Sequence, residues 1–235
     1  MSPQTNIKAA ENTWSSNFYN NKNLSETPIS KSYNNIRFNW GKNEPIAGIN
    51  KDNFSASFEK NITISESQKD YFLHTYADDG VRMYLDNQKK IDRWTSSSRN
   101  YSAAPMTNLS AGNHTVKTEY YEGGGNAVLF ADMLPFGSWI GYFYNNEKFS
   151  GNPEDALVFT PDKNGNLSFD YQYGKPNAKG IGSNHFSAKF FTYKKLPAGN
   201  YILQTKHDDD TRIYIDGKLV LDSDRVSQDT RLIKI

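Results

Sequence analysis

Residues 76–86 read Tyr76-Ala77-Asp78-Asp79-Gly80-Val81-Arg82-Met83-Tyr84-Leu85-Asp86, and residues 206–216 read Lys206-His207-Asp208-Asp209-Asp210-Thr211-Arg212-Ile213-Tyr214-Ile215-Asp216. An acidic pair, one variable position, an alternating run with Arg then Tyr, and a closing Asp recur 130 residues later (78 to 208). Within the first stretch, Val81, Met83 and Leu85 alternate with longer polar side chains. That period of two is the signature of a strand with one buried face. Other segments repeat as well. Trp14, Phe18, Tyr19, Asn20 and Asn21 match Trp139, Phe143, Tyr144, Asn145 and Asn146, and Phe54-Ser55-Ala56 matches Phe186-Ser187-Ala188. The period far exceeds the ~20–50 residues of a stacked repeat unit, so each copy is expected to be a whole domain.

Composition agrees with β structure. Tyr (15), Phe (14) and Trp (4) make up 14% of the 235 residues. Asn, Asp, Gly and Ser are abundant, as turn-rich sheets require. The 27 basic and 26 acidic residues leave a net charge of +1. A nucleic-acid groove or an anionic-membrane patch needs clustered Lys and Arg and is not expected. The chain has no Cys, which excludes disulfides, thiolate metal sites and thiol nucleophiles. No run approaches the ~18 apolar residues of a membrane span. The start, Met1-Ser2-Pro3-Gln4, lacks the basic and apolar regions of a signal peptide, as a trimmed mature start would.

Further strands are expected over Phe54–Phe58, Tyr71–Tyr76, His114–Tyr121 and Ala127–Ala131, the last two joined by Gly123-Gly124-Gly125-Asn126. In the third of these, His114, Val116, Thr118 and Tyr120 share a face. Asp86-Asn87 and Asp216-Gly217 suit the left-handed positions of tight hairpin turns. One short helical turn is expected near Asn152–Ala156, with Asn152 as its N-cap and Pro153 at its first position. Pro135 and Gly137 mark the boundary, giving one domain over 1–135 and a second over 136–235. The second copy has no match to residues 106–132 of the first, a stretch of about 27 residues carrying two strands. It is expected to be C-terminally truncated, with unpaired strand edges.

The first copy resembles the PA14 family, named for a region of the anthrax protective antigen. The resemblance rests on Phe38-Asn39-Trp40-Gly41, Pro45, Asp52-Asn53-Phe54-Ser55, the run Tyr71–Asp86, Ile91-Asp92-Arg93-Trp94, and Ala111-Gly112-Asn113-His114 through Glu119-Tyr120-Tyr121-Glu122. The second copy keeps Gly174-Lys175, Phe186-Ser187, Leu196–Tyr201 and the acidic block, but has Asp210 for the glycine and Asp224 for Trp94. The resemblance implies an all-β fold, a tandem of antiparallel sandwiches or barrels, and a generally non-catalytic module of glycosidases, adhesins, wall-associated proteins and toxins. In its sugar-binding members, adjacent aspartates joined by a cis peptide, with a loop Asn, hold a calcium ion that ligates sugar hydroxyls. The toxin member is not known as a lectin.

Asp78-Asp79 is accordingly the leading candidate for a Ca2+ and ligand site, with Asn126 as a further metal ligand and Glu122 as a ligand-binding neighbour. Calcium takes six to eight oxygens at about 2.3–2.6 Å, which adjacent carboxylates, an amide and loop carbonyls can supply. The competing reading is an Asp-Asp-Gly turn whose carboxylates accept local N–H groups. Asp208 and Asp209 are the second-copy counterparts, with a solvated turn as the alternative. Trp40 and Trp94 read as core aromatics rather than sugar platforms. Gly80 is expected to allow a sharp backbone turn. His74, His114, His185 and His207 show no zinc spacing, and no nucleophile elbow or phosphate-binding loop occurs, so no enzyme is expected. The expected role is surface recognition by a secreted or cell-surface bacterial protein, with a glycan or cell-wall polysaccharide as partner. The alternatives are a structural or toxin-type protein-interaction module, and an accessory domain of a glycosidase.

Overall fold

The computed structural model describes residues 13–96, 100–163, 165–224 and 227–235. The Met1–Gln4 start lies outside the described residues. The fold is all-β, and among the described residues no helix is long and apolar enough to cross a membrane. The first copy comprises β1 (Trp14–Tyr19), β2 (Ile29–Tyr33), β3 (Ile36–Gly41), β4 (Phe54–Ile64), β5 (Tyr71–Asp78), β6 (Gly80–Leu85), β7 (Gln88–Arg93), β8 (Asn100–Met106), β9 (Gly112–Glu122) and β10 (Ala127–Pro135). Two antiparallel sheets face each other, one in the order β2-β1-β4-β9-β6-β7 and the other β3-β10-β5-β8. Between them lies an apolar core including Trp14, Phe18, Phe54, Phe58, Leu73, Val81, Met83, Tyr120 and Leu129.

The alternation in the sequence sets this packing. Val81, Met83 and Leu85 are buried, as are His114, Val116, Thr118 and Tyr120 across the ladder. Asp86 and Asn87 both take positive φ (49° and 64°), the backbone that a two-residue hairpin between β6 and β7 demands. Trp40 packs against the core and stacks on Phe38 at 4.7 Å.

The second copy begins with β11 (Trp139–Tyr144), β12 (Asp155–Phe159) and β13 (Ser187–Thr192), a sheet in the order β12-β11-β13. These strands belong to the same compact unit as the first copy, which ends at Tyr193. Ile140, Tyr142, Tyr144 and Ala156 pack on Phe72, Tyr76, Val128 and Phe130, the face of the second sheet turned away from the first core. The expected helical turn at Asn152–Ala156 does not form, because β12 begins at Asp155 and the Asn152 side chain is engaged elsewhere.

The second compact unit, Lys194–Ile235, holds β14 (Asn200–His207), β15 (Thr211–Ile215), β16 (Lys218–Ser223) and β17 (Ser227–Lys234). Here β14 pairs with β17 and β15 with β16, as β5 pairs with β8 and β6 with β7. Even the Arg82–Asp92 ion pair recurs, as Arg212–Asp222. Ile213 and Ile215, the counterparts of the buried Met83 and Leu85, are only half-buried. Among the described residues, no further strand pairs with β15 as β9 pairs with β6 in the first copy.

Candidate functional site

The chain crosses from one sheet of the first copy to the other between β5 and β6. Asp78 ends β5, Gly80 begins β6, and Asp79 is the single residue at the corner. The Asp78–Asp79 peptide bond is cis. Both aspartates are buried, at 8% and 6% exposure, and Glu122 at the end of β9 is fully buried at 0%. Three acidic side chains therefore meet at one end of the sandwich with little access to water.

Donors from several elements hold this corner. The Gly123 N–H donates to Asp79 Oδ2 at 2.8 Å, and Ser96 Oγ to Asp79 Oδ1 at 3.3 Å. Asn152 Nδ2 donates to Asp78 Oδ2 at 2.9 Å. The Tyr120 hydroxyl lies against the Asp78 carbonyl oxygen and 3.2 Å from Glu122 Oε2. The glycine loop is tied down at its far end by Gly125 N–H to Asp52 Oδ1 at 3.3 Å. Glu122 Oε1 is buried without a hydrogen-bond partner.

Electrostatics follow from this crowding. Burial pushes the Glu122 carboxyl up to about 8, and the adjacent Asp79 carboxylate adds to the rise while the Tyr120 hydroxyl opposes it. Burial, then Glu122 and the two aspartates, raise the Tyr120 phenol well above its ordinary value. A cation beside these groups would offset the penalty on Glu122, as the Gly124 backbone N–H already does in part. The donor set is wholly hard oxygen, the chemistry that Ca2+ prefers. Each carboxylate oxygen can accept twice, so Asp79 can accept contacts beyond the bonds above. Among the described residues, no group of three or more His, Cys, Asp or Glu side chains is arranged around a metal position. Asp78 and Asp79 are the side chains that would hold a hard cation at this corner, with other oxygens needed to complete its shell.

Among the described residues, no hydrogen bond ties Asn126 to the corner, and Asn126 is exposed. The amide beside Asp78 is Asn152, from the second copy, 74 positions away in sequence. No local pattern pointed to it, nor to Ser96. Gly80, expected to allow a sharp backbone turn, begins β6 just past the corner without a positive φ. Its place is set by packing, because a Cβ there would lie 2.1 Å from the Tyr121 ring. Trp94, expected in the core, is half-buried between the Arg82 guanidinium (4.3 Å) and the Tyr121 ring (4.8 Å). Val81 and Met83 on the inner face leave Arg82 outward, and Trp94 follows it there. In the second unit, Asp208, Asp209 and Asp210 are all exposed, and Asp209 adopts φ +64°. Among the described residues, no tyrosine or glycine-loop donor is recorded beside them as Tyr120 and Gly123 are beside the first corner.

Comparison with known proteins gives the context. Over 105 residues the chain is 30% identical to the anti-sigma-I factor RsgI3 of Acetivibrio thermocellus, covering 45% of this chain but 16% of that protein. The match therefore spans under a fifth of the relative's length. The solved structure of an anti-sigma factor domain-containing protein from Clostridium clariflavum aligns over 94% of this chain and 84% of its own, at 17% identity and a TM-score of 0.46. The PA14 domain of the MpAFP antifreeze protein aligns over 68% and 97%, at 10% identity and 0.47. A PA14 sugar-binding domain from an RTX adhesin aligns over 54% and 91%, at 14% identity and 0.40. The PA14 domain family matches residues 11–133 and again 136–234, together nearly the whole sequence, and the chain belongs to that family as a tandem of two PA14 domains.

Proposed function

We propose that the first PA14 domain is a calcium-assisted carbohydrate-recognition module, without a catalytic step, on a secreted or cell-surface bacterial protein. The observation that carries this reading is the buried, adjacent Asp78 and Asp79 carboxylates at one corner of the sandwich, with the buried Glu122 beside them. In this reading the aspartate carboxylates hold Ca2+. Bound calcium supplies open coordination positions for vicinal hydroxyls of a sugar. The protein's part is to fix the aspartates through Gly123, Ser96 and Asn152, and to bury the corner so that charge is weakly screened. The second-copy block Asp208-Asp209 lacks this support and takes no part in the site. Kinship with a PA14 sugar-binding domain of an adhesin and with a bacterial anti-sigma-I factor supports a glycan partner and a bacterial setting.

Calcium titration tests the reading. A ligand that binds only the folded state stabilises it by about 2.7 kcal/mol at a hundredfold excess over Kd. Calcium is expected to raise the Tm of the wild-type chain and to leave Asp79→Ala unmoved. A glycan array probed with and without calcium should show binding that chelator removes. A calcium response retained in the Asp79 variant would clear the aspartate pair of this role.

A further inference from the structure

We propose that the candidate site is built from both copies of the repeat, with Asn152 of the second copy as the residue that positions Asp78 for cation capture. The proposal rests on the reading of the corner as a calcium site. Both ends of the Asn152 amide are in use. Its Nδ2 donates to Asp78 Oδ2 at 2.9 Å, and its Oδ1 accepts from the Tyr76 hydroxyl at 2.7 Å. With the carbonyl end turned to Tyr76, Asn152 is not itself a cation ligand. It holds the carboxylate that is.

The surroundings of Asn152 are rigid enough for this. Tyr76 is fully buried in an aromatic cluster, 4.8 Å from the Tyr101 ring and 5.9 Å from Tyr142. The segment that follows Asn152 is fastened to β3 at two points. Arg37 grips Asp155 through Nε at 3.2 Å and Nη2 at 2.6 Å, and Asn39 Nδ2 donates to the Pro153 carbonyl at 3.2 Å. Arg37 and Asn39 are two positions apart on one strand, so they share a face. Asp155 is 5% exposed and also accepts from the Lys179 and Ala156 backbone amides, both at 2.8 Å. Arg37, Asn39, Tyr76 and Asp78 belong to the first copy, and every residue they hold in this cluster belongs to the second.

The physical consequence is preorganisation. A free aspartate loses rotamer freedom when it captures a cation, whereas one already held by a donor loses less. The bond is charge-assisted, so its loss is expected to weaken binding roughly tenfold. The second PA14 copy thereby acts on the first copy's site without presenting a competent acidic block of its own.

The test uses the full chain, with Ca2+ measured by calorimetry and Tb3+ luminescence decay in H2O and D2O reporting water on the bound ion. Asn152→Ala is expected to bind calcium roughly tenfold more weakly, with more water on Tb3+ and a calcium-free Tm close to wild type. Asn152→Asp, which sets a carboxylate against Asp78, should show altered hydration too. Asn152→Ser, which replaces the amide by a shorter hydroxyl donor in case the alanine variant folds poorly, should fall between wild type and Asn152→Ala. Unchanged affinity and hydration in Asn152→Ala, with wild type binding normally, overturns the positioning role and leaves the calcium reading intact. A wild-type chain that takes up no calcium overturns that reading. Hydrogen exchange at residues 76–80 then decides the inference, which survives as a link between the copies if exchange quickens in Asn152→Ala and falls if it does not.

Discussion

At the scale of single residues, the two histidines of the first copy act on stability with opposite sign. His74 is 4% exposed, with Nδ1 3.0 Å from the Tyr142 hydroxyl and Nε2 buried without a partner. Burial pushes it down to about 4, against a smaller opposing pull from Asp132. Above pH ~6.5 both folded and unfolded states are neutral at this position. Below that, the unfolded chain takes up a proton that the folded one refuses, so stability falls as pH drops from 6.5 towards 4. At pH 5 the loss is about 2 kcal/mol. His114 is raised, chiefly by its hydrogen bond to Asp86, against burial and with help from the Ser110 carbonyl. Its contribution is present below pH ~6.5 and disappears as pH rises through its folded value. Replacing His74 by Leu should therefore flatten the acid side. Urea midpoints between pH 7 and 5 are expected to fall less in His74→Leu than in wild type, and parallel curves would show that His74 does not titrate as its burial implies.

Elements explain what the sequence could and could not reveal. The strand over Val81–Leu85, the turn at Asp86-Asn87 and the inward face of β9 were legible because each is a local pattern with a fixed period or backbone demand. The aspartate corner was legible as an unusual acidic pair. What made it a site was not, because its partners Ser96, Gly123 and Asn152 arrive from three separate elements and one arrives from the other copy. The β6–β9 pairing shows the same divide. Gly80 sits opposite Tyr121, and any Cβ at 80 would meet that ring at 2.1 Å. The sequence shows a glycine after two aspartates, where a turn is the natural reading, and the ring that requires it lies across the ladder. Gly80→Ala is expected to cost about 1–3 kcal/mol through overpacking. Shrinking the ring with Tyr121→Ala should relieve part of that, so the double mutant should cost less than the two single changes added together. Strict additivity in urea unfolding would place the constraint at Gly80 elsewhere.

Over the whole molecule, the described strands of the two copies differ in the middle of the sheets rather than at their margin. In the first copy β9 lies between β4 and β6, and β10 lies between β3 and β5. Both occupy central places: β4, β5 and β6 each depend on one of them for one of two ladders, and the edge strand β3 depends on β10 for its only one. Among the described strands of the second copy, β13 pairs on one side alone, β14–β17 and β15–β16 stand as separate two-stranded sheets, and residues 166–172 form no strand where the repeat would place one like β3. Two-stranded sheets are marginal in water unless they pack on something else. The Lys194–Ile235 unit shows the consequence in its burial. Leu221 is buried, but Ile202, Leu219, Leu232 and Tyr214 stand 68%, 50%, 75% and 56% exposed. Segments with few buried apolar contacts open locally at low free energy. Limited proteolysis is therefore expected to cut within 194–235 well before the first copy, and amide exchange in β14–β17 to outrun that in β4 and β9. Fusing an extra copy of residues 106–135 after Ile235 would supply both central strands. If their absence is the cause, that fusion should slow cleavage of the second copy and bury Ile213 and Ile215. Equal resistance of the two halves in the unfused chain would mean that the short sheets of the second unit hold together without a centre.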